Sequence, residues 1–144
     1  MAVQRKNPYA NFNFLVDLGL EQELGFSEVE LPAAEIETIE YRVGGEPTSG
    51  TRKLAGRVRY GNVVLRRGID GNLELWEWFK TARDGQVERR NVTITLLDEA
   101  RAPVLRWRLL NAFPVKVEVS DLNAQGNEVV IETLELTHEG LELE

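Results

Sequence analysis

Short stretches with an apolar residue at every second position run through most of the chain and predict β-strands. Residues 11–18 and 26–31 alternate polar and apolar side chains in this way. In residues 35–43 the apolar stripe changes phase after Ile36, as a β-bulge produces. Residues 58–69 are predicted to form a further strand, with Val58 and Tyr60 on one face and a phase change at Gly61. Period two is the signature of a strand with one buried face, so the first half of the chain is predicted to be largely β.

The same pattern returns towards the C-terminus as two pairs of strands. Residues 91–97 and 104–110 are separated by a short polar turn, and residues 115–119 and 128–137 are separated by another. Such pairs predict β-hairpins. About eight strands and one helix, within a single domain over residues 1–144, predict a mainly β fold, a barrel or sandwich with a flanking helix.

One segment, residues 73–82, has apolar residues at helical spacing. We expect Trp76 and Phe79 to face a sheet and Gly85 to end the helix. Trp78 falls towards the polar side, where packing at the rim of the core is favoured over contact with a partner. The outward face is then charged and consists of Glu74, Glu77, Lys80 and Arg83.

Residues 44–57 form the longest interruption of the pattern, with four glycines, a proline and three basic side chains. They are predicted to form a loop. Loops of this length in a compact domain are commonly functional, which makes this segment the first candidate for a contact outside the monomer.

The composition is that of an ordinary globular protein, with 42% hydrophobic and 28% charged residues and no cysteine. No long apolar run follows Arg5 and Lys6, so neither a signal peptide nor a membrane span is expected, and the chain is expected to be made in the cytoplasm. The net charge of −7 is unevenly distributed: −6 over residues 1–40, +6 over residues 41–108 and −7 over residues 109–144. Segregated charge favours head-to-tail self-association, and overall acidity argues against sequence-specific nucleic-acid binding.

Catalytic chemistry has little support in the sequence. His138 is the single histidine, which rules out a site of several histidines. The pairs Glu28 with Glu30 and Glu35 with Glu37 lie two residues apart, which is more typical of a solvated strand face than of a catalytic pair. The glycine-containing segment lacks phosphate-binding spacing. We therefore expect no catalytic residue, no metal and no cofactor.

Seven segments in order cover nearly the whole chain: NPYANFNFLVDL, GFSEVELP, IEYRVGG, RKLAGRVRYGNVVLRRGI, LWEWF, DGQVERRNVTITLLDEA and WRLLNAFPVKVEVSDLNAQGNEVVIETLELTHEGLE. In this order they resemble the tail tube proteins of contractile phage tails and of phage-tail-like extracellular injection systems. The resemblance implies a β-barrel-like fold with one helix, without catalysis. It also implies homohexameric rings that stack into a hollow inner tube, which a contracting sheath drives through a target envelope.

The implied partners are further copies of the chain, the sheath protein, the baseplate or hub and tube-capping proteins, and a luminal cargo. By the same resemblance, a loop reaches a neighbouring ring or subunit, with contact residues Thr48, Ser49, Thr51, Arg52, Lys53, Leu54, Arg57 and Arg59. We expect an acidic partner face of Glu28, Glu30, Glu139 and Glu142 on the adjacent copy. The charged helix face is the candidate for sheath contact.

Alternatives remain open at this point. A tube initiator or baseplate adaptor would share the fold. A module that binds peptides at an open β edge is a different class. An enzyme using the glutamate pairs and His138 is the third.

Overall fold

The computed structural model describes residue 5 and residues 7–20 and 24–144; Lys6 lies outside them. These residues form nine strands and one helix, confirming the predicted mainly β class. In chain order the elements are β1 (Phe14–Asp17), β2 (Glu28–Glu30), β3 (Ala34–Tyr41), β4 (Arg52–Tyr60), β5 (Val63–Gly68), α1 (Glu74–Arg83), β6 (Arg90–Leu97), β7 (Pro103–Val119), β8 (Ile131–Thr137) and β9 (Gly140–Leu143).

Seven strands form one antiparallel sheet in the order β1-β6-β7-β8-β5-β2, and β9 also pairs with β7. Both predicted hairpins are present, but their middle strands are one continuous strand, β7. Its first half pairs with β6 and its second half with β8. Within the described part of the chain the sheet does not close into the predicted barrel, because β1 and β2 remain free edges.

The core lies on one face of this sheet. Val63 and Leu65 of β5 face Leu136 and Leu134 of β8 in register, and all four are fully buried. Apolar side chains of β6, β7 and α1 complete the cluster. Burial alternates along β5, β8 and most of β6, and the inner face is apolar apart from Arg67 and Glu132.

The helix packs on the core with a different face from the one predicted. Trp78 is 2% exposed and packs into the core with Leu75, whereas Trp76 is 39% exposed. The indole N–H of Trp78 donates to the backbone oxygen of Glu88 at 2.7 Å, so its one polar atom is satisfied in the interior. The apolar stripe through Trp76 and the one through Trp78 both have helical spacing, so the sequence alone does not decide which of them is buried.

The end of the helix is as predicted. Gly85 has a φ of 84°, in the left-handed region that glycine tolerates. Its amide donates to Ala82 O at 3.3 Å, and the Gln86 amide donates to Thr81 O at 3.0 Å. This pair of hydrogen bonds is the Schellman arrangement that closes a helix.

The predicted loop over residues 44–57 is wrong in its second half. Residues from Arg52 onwards form β4, which pairs with β3, and residues 42–51 make the connection. The single strand predicted over residues 58–69 is also wrong, because β4 ends at Tyr60 and β5 belongs to the other sheet. The pattern hid this strand because it covers no core: all its residues but Gly56 are exposed. The bulge predicted near Ile36 is confirmed, since the register of β3 against β4 shifts between Ile36 and Thr38.

Candidate interaction surface

The two-stranded ribbon of β3 and β4 is the least covered part of the described chain. It forms a sheet of its own, and its main contacts are between its own two strands. Six large apolar side chains on it are 38–58% exposed: Ile36, Ile39, Tyr41, Leu54, Val58 and Tyr60. An isolated two-stranded ribbon is marginally stable in water, and a large exposed apolar patch marks an interaction site. The ribbon is therefore the candidate functional surface.

A bulge in β4 sets the shape of the ribbon. Ile36 pairs with Val58 and Thr38 with Ala55, so one residue of β3 faces two of β4. Gly56 occupies this bulge, and a Cβ there would lie 2.9 Å from the backbone oxygen of the facing strand. Only glycine fits without a shift of the backbone.

The two strands of the ribbon carry opposite charge. β3 contains three glutamates and no basic residue, whereas β4 contains three arginines, one lysine and no acidic residue. Arg59 Nε lies 3.2 Å from Glu37 Oε1 across the ribbon, and Arg52 Nη2 lies 3.3 Å from Glu46 Oε1 in the connection. Both arginines are 70% exposed in their side chains, so they stay accessible to a partner.

The base of the ribbon is fixed to the body of the chain. The Gly61 amide donates to Ala33 O at 2.8 Å. His138 Nε2 lies 2.8 Å from Gly61 O, and its Nδ1 lies 3.0 Å from Gly140 O. The Tyr60 and His138 rings are 5.7 Å apart. The single histidine thus links the base of the ribbon to the segment before β9, with each ring nitrogen within hydrogen-bonding distance of a backbone carbonyl oxygen.

The predicted contact residues fall into two groups on this surface. Thr48, Ser49 and Thr51 lie in the exposed connection, where the Arg42 guanidinium donates to Thr48 O at 3.0 Å. The remaining predicted residues lie on β4: Arg52, Lys53, Leu54, Arg57 and Arg59.

None of the four predicted acidic residues belongs to the ribbon, and three of them have basic partners in their own chain. Arg66 Nη1 lies 2.9 Å from Glu28 and 3.3 Å from Glu30. Hydrogen bonding to Glu30 first, and then to Glu28, raises the pKa of Arg66. Glu139 lies 3.6 Å from Arg89, and Glu142 is exposed. Their pairing with β4 of another copy stays a prediction.

The helix presents a mixed outer surface. Among its predicted charged residues, Lys80 lies 3.1 Å from Glu77, Arg83 lies 2.9 Å from Asp84, and Glu74 is half-buried. The exposed Trp76 stacks on Phe79 with ring centroids 5.5 Å apart, and the Arg83 guanidinium lies over the Trp76 ring. Sequence reasoning missed this aromatic patch because it assigned Trp76 to the core.

A second apolar feature is a groove between the free edges β1 and β2. Its lining includes Phe12, Phe14, Val29, Leu31, Ile94 and Trp107. Among the described residues, no three histidine, aspartate or glutamate side chains converge to hold a metal ion, and no helix is long and apolar enough to span a membrane. The prominent features of this part of the chain are surfaces for contact.

Comparison with known proteins gave consistent results. The family model for the T4-like virus tail tube protein gp19 matches residues 10–142. A chain in the 6-fold symmetrised structure of the anti-feeding prophage (AFP) baseplate is 29% identical, with 97% of both chains covered and a TM-score of 0.85. A chain in the PVC sheath-tube complex of an extracellular contractile injection system in the extended state is 27% identical. The match covers 95% of this chain and 91% of that one, with a TM-score of 0.84.

A chain in the structure of the anti-feeding prophage cap is 25% identical, with 100% of this chain and 95% of that one covered and a TM-score of 0.86. The comparison with curated proteins gave no significant match.

Proposed function

The chain belongs to the family of T4-like virus tail tube proteins, and from this premise we propose that it is the inner-tube subunit of a contractile injection particle. Copies form hexameric rings, the rings stack into a hollow tube, and contraction of a sheath drives the tube through a target envelope. The observation that carries the proposal is the ribbon of β3 and β4, which is exposed on both faces and both edges in the single chain.

The charges of the ribbon favour ring closure. The acidic edge β3 of one copy complements the basic edge β4 of the next, whereas two like edges would repel. A contact between two different surfaces of identical chains is heterologous, and it forms a ring when the rotation closes. Joined in this way, six ribbons make a continuous inner wall without free edges around the lumen, through which a cargo passes.

The similar structures support the assembly. The AFP baseplate structure is 6-fold symmetrised, and the PVC structure is a complex of sheath and tube. Similarity at 27–29% identity to chains of these particles favours an extracellular injection particle over a phage tail. The partners are then further copies of the chain, the sheath, the baseplate and the capping proteins.

The outer surface of the helix is the proposed sheath contact. Lys80 and Arg83 have acidic neighbours within their own chain, so the exposed Trp76 beside Arg83 is the stronger contact point. Tryptophan and arginine are the residue types most enriched at binding hot spots.

Negative-stain microscopy and sedimentation of the purified chain test the proposal. We expect six-fold rings that stack into tubes as concentration rises. A chain that remains a monomer at high concentration would contradict it and favour a peptide-binding module. Co-sedimentation with the sheath protein separately tests the helix contact.

A second candidate is a tube-capping or tube-initiating subunit, because the cap structure of the anti-feeding prophage matches with a TM-score of 0.86. Such a subunit would form single rings that bind the end of a tube. Single rings that do not stack at any concentration would favour it.

A further inference from the structure

The apolar residues of the ribbon switch faces halfway along it. Ile36 and Ile39 are three positions apart in the regular strand β3, so these two side chains point to opposite faces. Val58 pairs with Ile36, and Leu54 pairs with Ile39. Because of the bulge at Gly56, the apolar side chains of β4 change faces at the same place along the ribbon as those of β3. The ribbon therefore carries one apolar pair near its base and another, on the opposite face, near its tip.

The two pairs also differ in their distance from the body of the chain. The hydrogen bond from Gly61 to Ala33 closes the ribbon at its base, three positions from Val58 and from Ile36. The tip at Tyr41 lies seven residues beyond Ala34, about 23 Å along an extended strand. A flat partner surface covers one face of a ribbon, so covering both pairs takes two partner surfaces.

We propose that the two faces bind two different copies of this chain, an inference that rests on the proposed function. The base face, Ile36 with Val58, docks on the copy beside it in the same ring. The tip face, Ile39 with Leu54 and Tyr41, docks on a copy in the adjacent ring. Another copy is the fitting occupant because each copy offers both an acidic and a basic ribbon edge, so a second ribbon complements the first in charge.

Two matched double variants test the assignment. Ile36→Thr with Val58→Thr makes the base face polar, and Ile39→Thr with Leu54→Thr makes the tip face polar. Threonine has a high strand propensity, and all four positions are exposed, so the ribbon and core should keep their structure. Ala55→Thr, on the same ribbon but outside both apolar pairs, is the control and should form tubes like the wild type.

In sedimentation and negative-stain microscopy, the base variant is expected to lose rings and remain monomeric. The tip variant is expected to form rings that do not stack. If wild-type tubes form but both variants stop at the same species, or neither changes, the inference is overturned and the proposed function stands. If the wild type forms no rings, both are overturned. Melting curves that match the wild-type monomer show that a variant has folded.

Discussion

Replacing Arg67 by methionine tests how far the core depends on one buried charge. Arg67 is 2% exposed on β5. Its Nε donates to Glu132 Oε1 on β8 at 3.0 Å, its Nη1 to Asp70 Oδ1 at 3.3 Å, and its Nη2 to Asn72 O at 3.1 Å. The guanidinium thus joins two core strands to the segment that leads into the helix.

The loss of stability depends on which charge remains buried without a partner. Arg67→Met removes the partner of Glu132, which is 8% exposed, and an unpaired buried carboxylate costs about 3–5 kcal/mol. Glu132→Gln keeps an acceptor oxygen and loses only the charge, so it should lower the free energy of unfolding by about 1–2 kcal/mol. The double variant Arg67→Met with Glu132→Leu removes both charges and should lie within about 1 kcal/mol of the wild type.

Urea unfolding followed by tryptophan fluorescence, at a concentration where every variant is monomeric, measures these free energies. For a chain of this size, a loss of 3–5 kcal/mol corresponds to a melting temperature lower by about 10–20 °C. A cost below about 1 kcal/mol for Arg67→Met, or a double variant less stable than that single one, would refute the reasoning.

Gly56→Ala is expected to disrupt the bulge, since its methyl group would meet a backbone oxygen at 2.9 Å. Tubes should be lost in micrographs while the melting temperature of the monomer stays unchanged, and normal tubes would contradict this. The bond from Arg5 lowers the pKa of Glu99 from 4.5 to about 2. This contact therefore stabilises the N-terminal segment above pH 4.5 and is lost as the pH falls through about 2. The loss should be visible as weaker protection of residues 7–13 from hydrogen exchange, and protection that falls already at pH 5 would argue against it. Trp78→Ala should cost about 3–5 kcal/mol in urea unfolding. Trp76→Ala should cost under about 1 kcal/mol and weaken sheath co-sedimentation instead. Equal losses of stability in the two tryptophan variants would show that the buried and exposed faces of the helix are wrongly assigned.

The sequence predicts best where one strand face is buried. In β6 and β8 most apolar residues recur at period two and are buried, whereas two inward positions of the sheet, Arg67 and Glu132, are charged and are not marked by the apolar pattern. The helix was located within one residue at each end, yet its orientation was missed. Trp76 and Trp78 both lie on apolar stripes of helical spacing, and the carbonyl of Glu88, ten residues further along the chain, satisfies the buried indole. Such a partner is set by the tertiary fold and leaves no periodic signal.

The first two thirds of β4, residues 52–57, were missed for the opposite reason. A strand that covers no core has no apolar face to keep, so RKLAGR resembles a polar loop with a glycine. Its partner β3 had a visible phase change, which correctly predicted the bulge. The phase change alone does not reveal that the other strand carries the extra residue, because that depends on the pairing register.

The exposed ribbon presents a hazard that its charges restrain. Unpaired strand edges with apolar side chains promote indiscriminate pairing between chains. Here a β3 edge against another β3 edge brings glutamates together, and a β4 edge against another β4 edge brings arginines together. Only a β3 edge against a β4 edge places opposite charges side by side, and that pairing leaves one β3 edge and one β4 edge free for the next copies. The same residues that favour association therefore restrict it to the head-to-tail direction that the proposed ring requires.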